Sequence, residues 1–108
     1  MADKNKEKGD SAVLERKKVS EPRKYRVILL NDHYTSMEFV VQVLKTVFRH
    51  SSAQATRVML HIHNSGTGVA GIYSRDVAET KVDQVHQMAI ESGHPLQYTI
   101  EPEGSKKN

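Results

Sequence analysis

The polar side chains best placed to bind a ligand lie where a predicted strand meets a predicted helix. The apolar run at residues 27–30, Val-Ile-Leu-Leu, predicts a buried strand. Three polar residues follow it directly: Asn31, Asp32 and His33. Thr35 and Glu38 have the spacing of a capping box, so a helix is predicted to begin here, with Met37 in its first turn. Such a corner could bind a ligand that has a charged polar end and an apolar end.

Two predicted helices could close a pocket over this corner. Met37 and Val40 are three residues apart and share one face of the first helix, whereas Met59 and His63, four apart, share one face of the second. Each feature alone is weak, because methionine at helical spacing usually packs in the core and Asn-Asp often only shapes a turn. The combination favours a pocket with an apolar wall and a polar rim. The wall is predicted to contain Met37, Val40 and Met59, and the rim Asn31, Asp32 and His63.

Metal binding and catalysis fit the sequence less well. The chain contains six histidines: His33, His50, His61, His63, His86 and His94. His61 and His63 lie about 200° apart around a helix and cannot converge on one ion. Cysteine is absent, and no HExxH motif, nucleophile elbow or glycine-rich phosphate loop is present. No metal and no cofactor are therefore expected, and an enzyme that uses Asp32 and His63 is the least favoured hypothesis.

The pattern of apolar residues predicts the order β-α-α-β-α-β. Strands are predicted at residues 25–30, 68–73 and 96–100, and helices at 36–49, from a second capping box at Ser51 and Gln54, and at 75–92. Gly66 and Gly93 are expected to end the second and third helices in left-handed conformations. For so short a chain, the economical fold is α+β, with a small three-stranded antiparallel sheet covered by three helices.

The basic excess of the chain lies before residue 25. Residues 1–24 contain eight Lys or Arg against five Asp or Glu, whereas residues 25–108 contain eight of each. A nucleic-acid partner is not expected, because nucleic-acid binders usually cluster basic residues on a structured face. The few large apolar side chains in residues 1–24 predict a disordered arm, followed by a folded domain at 25–103 and a loose tail at 104–108.

The sequence predicts a cytoplasmic protein with no membrane partner. It contains no apolar run long enough to cross a bilayer. Its first 24 residues contain no apolar region of the kind that a secretory signal requires, and they include five acids, which are unusual in transit peptides. The lack of cysteine is compatible with a reducing compartment.

Four blocks of the sequence, in the same order, resemble the ClpS family of protease adaptors. They are Tyr25-Arg26-Val27-Ile28-Leu29-Leu30-Asn31-Asp32 with Tyr34-Thr35-x-Met37-Glu38-Phe39-Val40; Ala55-Thr56-x-x-Met59-Leu60-x-x-His63; Val77-Ala78-Glu79-Thr80-Lys81-Val82; and His94-Pro95-Leu96 with Thr99. The resemblance implies a monomeric adaptor, not an enzyme, that binds proteins beginning with Leu, Phe, Tyr or Trp, the N-degron signal. It further implies delivery of these proteins to the N-terminal domain of a ClpA-type AAA+ unfoldase, for degradation by ClpP.

The resemblance also implies roles for individual residues. Asn31 and His63 match residues that bind the α-amino group of the substrate. Asp32 and His33 lie beside them in the corner and are expected to belong to the same α-amino-binding site. The positions that match the side-chain pocket are Leu30, Thr35, Met37, Val40, Met59 and Leu96. The positions that match the unfoldase-docking surface are Glu79, Thr80 and Lys81.

The chain departs from the family pattern at His33. Many members have a second acid after Asn-Asp, and in some of them this acid contacts the α-amino group. An imidazole at this position removes a possible anionic partner, so weaker or more pH-dependent binding is expected. Ser36, where proline is frequent, should be harmless at a helix start. An alternative function remains, that of an interaction module that docks on an AAA+ unfoldase without recognising N-terminal residues.

Overall fold

The computed structural model describes residues 23–104. Residues 1–22 and 105–108, which include nearly all of the predicted arm and tail, lie outside the described residues. The elements in chain order are β1 (Tyr25–Leu30), α1 (Met37–Thr46), α2 (Ser52–Ser65), β2 (Thr67–Tyr73), α3 (Arg75–Ser92) and β3 (Gln97–Pro102). This order and a three-stranded antiparallel sheet confirm the predicted fold class.

The first strand is the centre of the sheet, whose strand order is β2-β1-β3. Its side chains alternate between the two faces of the sheet. Val27 and Leu29 are fully buried in one core cluster with apolar residues of the three helices. The alternate residues, Ile28 and Leu30, line a shallow depression on the surface. This arrangement makes β1 a rigid base from which the chain turns at Asn31 towards α1.

The predicted capping box at Thr35 is wrong. Helix α1 begins at Met37, and its N-cap is Ser36, whose hydroxyl oxygen accepts a hydrogen bond from the Phe39 N–H at 3.0 Å. The Thr35 hydroxyl instead donates to the Asp32 carboxylate at 2.7 Å. A carboxylate is a stronger acceptor than a neutral group. The Thr35 hydroxyl therefore bonds to Asp32 in the preceding turn and does not cap α1.

The other helix boundaries follow local chemistry. Ser51 caps α2 through the Gln54 N–H, and Ser74 caps α3 through the Val77 N–H. Gly66 and Gly93 end these helices in the left-handed region, with φ of 96° and 75°, as predicted. Helix α1 stops at Thr46, earlier than the predicted residue 49.

Candidate functional site

A cavity of about 520 Å³ opens where the turn after β1 meets α1 and α2. This volume lies within the range of ligand pockets, roughly 300–1,000 Å³. The residues that line it are Asn31, Asp32, His33, Thr35, Met37, Val40, Met59, Ile62 and His63. The structure therefore brings together eight of the residues that the sequence indicated for binding, from three separate parts of the chain.

A backbone hydrogen bond joins the two halves of the site. The Asn31 N–H donates to the Gly66 carbonyl at 2.8 Å, which ties the end of β1 to the C-terminal cap of α2. His63 lies in the last turn of α2 and Met59 one turn earlier. The contact with Gly66 thus places the polar end of α2 beside the Asn31 corner.

The Asp32 carboxylate closes the turn that leads into α1. One oxygen accepts from the N–H groups of Tyr34 and Thr35, at 2.8 and 2.7 Å, and the other accepts from the Thr35 hydroxyl at 2.7 Å. Partial burial alone would raise the pKa of Asp32. The hydrogen bonds from Thr35 and Tyr34, together with the nearby His33, outweigh it and hold the pKa below its ordinary value. Asp32 is therefore an anion held by its own turn.

The apolar part of the cavity has a buried base and an exposed edge. Val40, Met59 and Ile62 are buried, and Ile62 is only 2% exposed. Met37, in contrast, is 45% exposed and lies in the first turn of α1. The cavity therefore has an adaptable methionine at its edge and buried apolar side chains at its base.

Ile62 is the lining residue that sequence reasoning missed. The periodicity of α2 placed it on the core face, and the structure shows that it contributes to both the core and the cavity. One signal could have revealed it, because Ile62 is three residues after Met59 and shares its helix face.

Two of the predicted pocket residues lie outside this cavity. Leu30 and Leu96 line a separate shallow depression beside β3, together with His86 and Tyr98. Leu96 is buried in the core. The cavity as it stands is therefore formed by the turn, α1 and α2, without a side chain from β3.

The predicted docking residues lie on α3, and their contacts differ. The Glu79 carboxylate pairs with the exposed Arg75 side chain at 3.1 Å, and the Thr80 hydroxyl donates to the Asp76 carbonyl at 3.1 Å. The Lys81 ammonium donates to the Val47 carbonyl at 2.8 Å, at the C-terminal end of α1. Glu79 and Thr80 therefore face solvent, whereas Lys81 also connects two helices.

Two other kinds of site find no support in residues 23–104. No group of three or more His, Asp or Glu side chains in this range is arranged to hold a metal ion. Within the same range, no helix is long and apolar enough to cross a bilayer.

Comparison with known proteins gives one consistent family. The family model described as "ATP-dependent Clp protease adaptor protein ClpS" matches residues 20–99. Two relatives are described as ATP-dependent Clp protease adapter protein ClpS. The one from Syntrophus aciditrophicus is 56% identical over 84 residues, covering 78% of this chain and 78% of that protein. The one from Desulfatibacillum aliphaticivorans is 52% identical over 95 residues, covering 88% and 91%.

A solved structure is also similar to this chain. It is Agrobacterium tumefaciens ClpS2 bound to L-phenylalaninamide, with 47% sequence identity and a TM-score of 0.73. The match covers 77% of this chain and 100% of that one.

Proposed function

Because this chain belongs to the ClpS family of ATP-dependent Clp protease adaptors, we propose that its cavity binds the first residue of proteins that begin with Leu, Phe, Tyr or Trp. The observation that carries the proposal is the composition of the cavity. Polar groups of Asn31 and His63 line the same space as the buried side chains of Val40, Met59 and Ile62. One ligand can thus meet hydrogen-bonding groups at one end and apolar groups at the other.

A free N-terminus has the chemistry that this polar end suits. A protonated α-amino group has three N–H donors and needs acceptors when it leaves water. The Asn31 amide oxygen and a neutral ring nitrogen of His63 can accept from it. A buried polar group left unpaired costs about 1–3 kcal/mol. An internal residue, whose backbone amide lacks the charge and the extra donors, would leave the acceptors of Asn31 and His63 unpaired, so the site would reject it.

The apolar end supplies the preference for bulky side chains. Burial of a Leu or Phe side chain contributes about 1.5–3 kcal/mol. A cavity of about 520 Å³ can contain an aromatic ring. The relative from Agrobacterium tumefaciens was solved with L-phenylalaninamide, a ligand that combines a free amino group with an aromatic side chain, as the proposal requires.

Delivery to an unfoldase is the second part of the proposal. We assign docking on the N-terminal domain of a ClpA-type unfoldase to the α3 surface that contains Glu79, Thr80 and Lys81. Together with the exposed Val77, this surface has both charged and apolar groups. In this proposal the chain acts as a monomeric adaptor, and the unfoldase and its peptidase perform the chemistry.

A comparison of two peptides tests the binding function. A fluorescent peptide that begins with Leu is titrated with the protein, in parallel with the same peptide acetylated at its N-terminus. We expect saturable anisotropy with the free amine and none with the acetylated form. A matched peptide that begins with Ser should also fail to bind, because it cannot fill the apolar end. Equal binding of the free and acetylated peptides would refute recognition of the N-terminus. Binding of neither peptide would favour an interaction module that only docks on the unfoldase.

A further inference from the structure

The carboxylate of Asp32 is directed into its own turn. Its two oxygens accept three hydrogen bonds from Tyr34 and Thr35, all between 2.7 and 2.8 Å. These short distances are typical of bonds to an ionised carboxylate. Every one of these donors lies within three residues of Asp32, so the turn itself satisfies three of the roughly four acceptor positions of the carboxylate.

Separate hydrogen bonds hold the chain on the two sides of Asp32. On one side, the Asn31 backbone is held by the Gly66 carbonyl. On the other side, Thr35 is held through both its N–H and its hydroxyl, immediately before the Ser36 cap of α1. Asn31 is therefore bonded to the end of α2 through its own N–H, and it directly precedes the turn that the Asp32 carboxylate closes.

From these contacts we infer that Asp32 is a positioning residue and not a ligand of the substrate. This inference rests on the proposed function: the carboxylate holds residues 32–35 so that Asn31 presents its amide to the N-terminal amino group. A binding group held in place by its neighbours loses less conformational freedom when the ligand binds. Asp32 would then contribute to affinity through Asn31 and without contact with the ammonium.

A direct ligand of the ammonium and a positioning residue require different properties of the side chain at position 32. A direct partner of the ammonium must carry negative charge, because the attraction between the two ions supplies its contribution. A positioning residue needs only acceptors of the correct shape. Asparagine separates these demands, since its amide oxygen can accept from both N–H groups, and its amide nitrogen can donate to the Thr35 hydroxyl.

The test compares Asp32→Asn with Asp32→Ala. Binding of the Leu-starting peptide is measured by anisotropy near neutral pH, and ¹H–¹⁵N spectra report the Asn31 side-chain amide. If Asp32 positions Asn31, Asp32→Asn should bind within about threefold of the unmodified protein and keep the Asn31 amide signal. Asp32→Ala should bind about tenfold more weakly or worse, with a shifted signal. Equal weakening of both variants would overturn the inference, as would normal binding by Asp32→Ala.

A second pair of variants tests the inference even if Asp32→Ala does not fold. Thr35→Ser keeps the hydroxyl that binds Asp32, whereas Thr35→Val removes it with little change of volume. We expect Thr35→Ser to bind more tightly than Thr35→Val, and equal affinities would contradict the inference. Ser36→Ala is the control, because it weakens the start of α1 without breaking a bond to Asp32. If the unmodified protein binds free and acetylated peptides equally, the proposed function itself fails, and that result is distinct from every outcome above.

Discussion

The backbone N–H of Asn31 donates to the carbonyl of Gly66 at 2.8 Å, so the first residue after β1 is bonded to the C-terminal cap of α2. Gly66 can accept this bond because it has a φ of 96°, a conformation that ends α2 and turns its carbonyl towards β1. This backbone hydrogen bond therefore brings Asn31 and His63 to the same cavity. Asn31 donates this bond, and His63 lies three residues before Gly66, which accepts it.

Gly66→Ala should weaken both the fold and the site. A side chain at positive φ costs about 1–2 kcal/mol, although no atom obstructs the added Cβ. We expect a loss of this size in the free energy of unfolding, measured in urea, together with weaker binding of the Leu-starting peptide.

Gly93→Ala is the matched control, since Gly93 ends α3 at a φ of 75° and is remote from the cavity in sequence. It should cost similar stability and leave peptide affinity unchanged. Equal peptide affinities for the two variants would show that the Gly66 bond does not position the site.

The helices and strands could be predicted well because the spacing of apolar residues and the helix caps are local properties of the sequence. Ser51 and Ser74 begin helices and Gly66 and Gly93 end them, each through groups within a few residues. The sheet order could not be obtained in this way. Placing β1 between β2 and β3 depends on contacts between residues more than thirty positions apart.

The prediction failed where two local rules competed. Thr35 had the spacing of an N-cap, but Asp32 offered its hydroxyl a charged acceptor, and Ser36 became the cap instead. Ile62 illustrates a different limit, since periodicity identifies a buried face but cannot say whether a cavity adjoins it. The same limit applies to Leu96, which was predicted to line the pocket. It is buried, but it lies outside the cavity, beside β3.

His33→Asp should bind the Leu-starting peptide more tightly near neutral pH. His33 lines the cavity in which the ammonium is proposed to lie. An acid there would add an attraction of about 1 kcal/mol at a partly exposed site, which is a several-fold gain in affinity. Anisotropy titrations at low and moderate salt measure the gain, and salt should reduce it. His33→Asn is the neutral control, and it should bind as the unmodified protein does. Equal affinities for the Asp and Asn variants would mean that position 33 does not face the ammonium.

Glu79 and Lys81 should respond differently to truncation, although both belong to the proposed docking surface. Among residues 23–104, Glu79 pairs only with the exposed Arg75, so Glu79→Ala should change the free energy of unfolding by less than about 0.5 kcal/mol. Lys81 donates to the Val47 carbonyl, so Lys81→Ala should cost about 1 kcal/mol. Urea unfolding measures both values.

Docking of the same two variants is measured by calorimetry with the N-terminal domain of a ClpA-type unfoldase. Both variants should bind the domain more weakly. Gln87→Ala, two turns further along α3, is the control and should bind normally. If Glu79→Ala keeps full affinity while Lys81→Ala loses it, the effect of Lys81 is structural, and the docking surface must be sought elsewhere.

The lowered pKa of Asp32 predicts a specific loss of stability in acid. The bonds from Thr35 and Tyr34 favour the ionised form in the folded protein. Their stabilisation is fully present above the ordinary pKa of about 3.9, and it is lost as pH falls through the lower pKa of the folded state. As the pH falls below about 5 and through the pKa of the folded state, the unfolding free energy of the unmodified protein should therefore fall more steeply than that of Asp32→Asn, which has no carboxyl at this position. Thr35→Val should show an intermediate slope, because it removes one of the bonds to the carboxylate. Urea unfolding at several pH values measures these slopes. Parallel curves for the unmodified protein and Asp32→Asn would mean that the turn does not depend on the charge of Asp32.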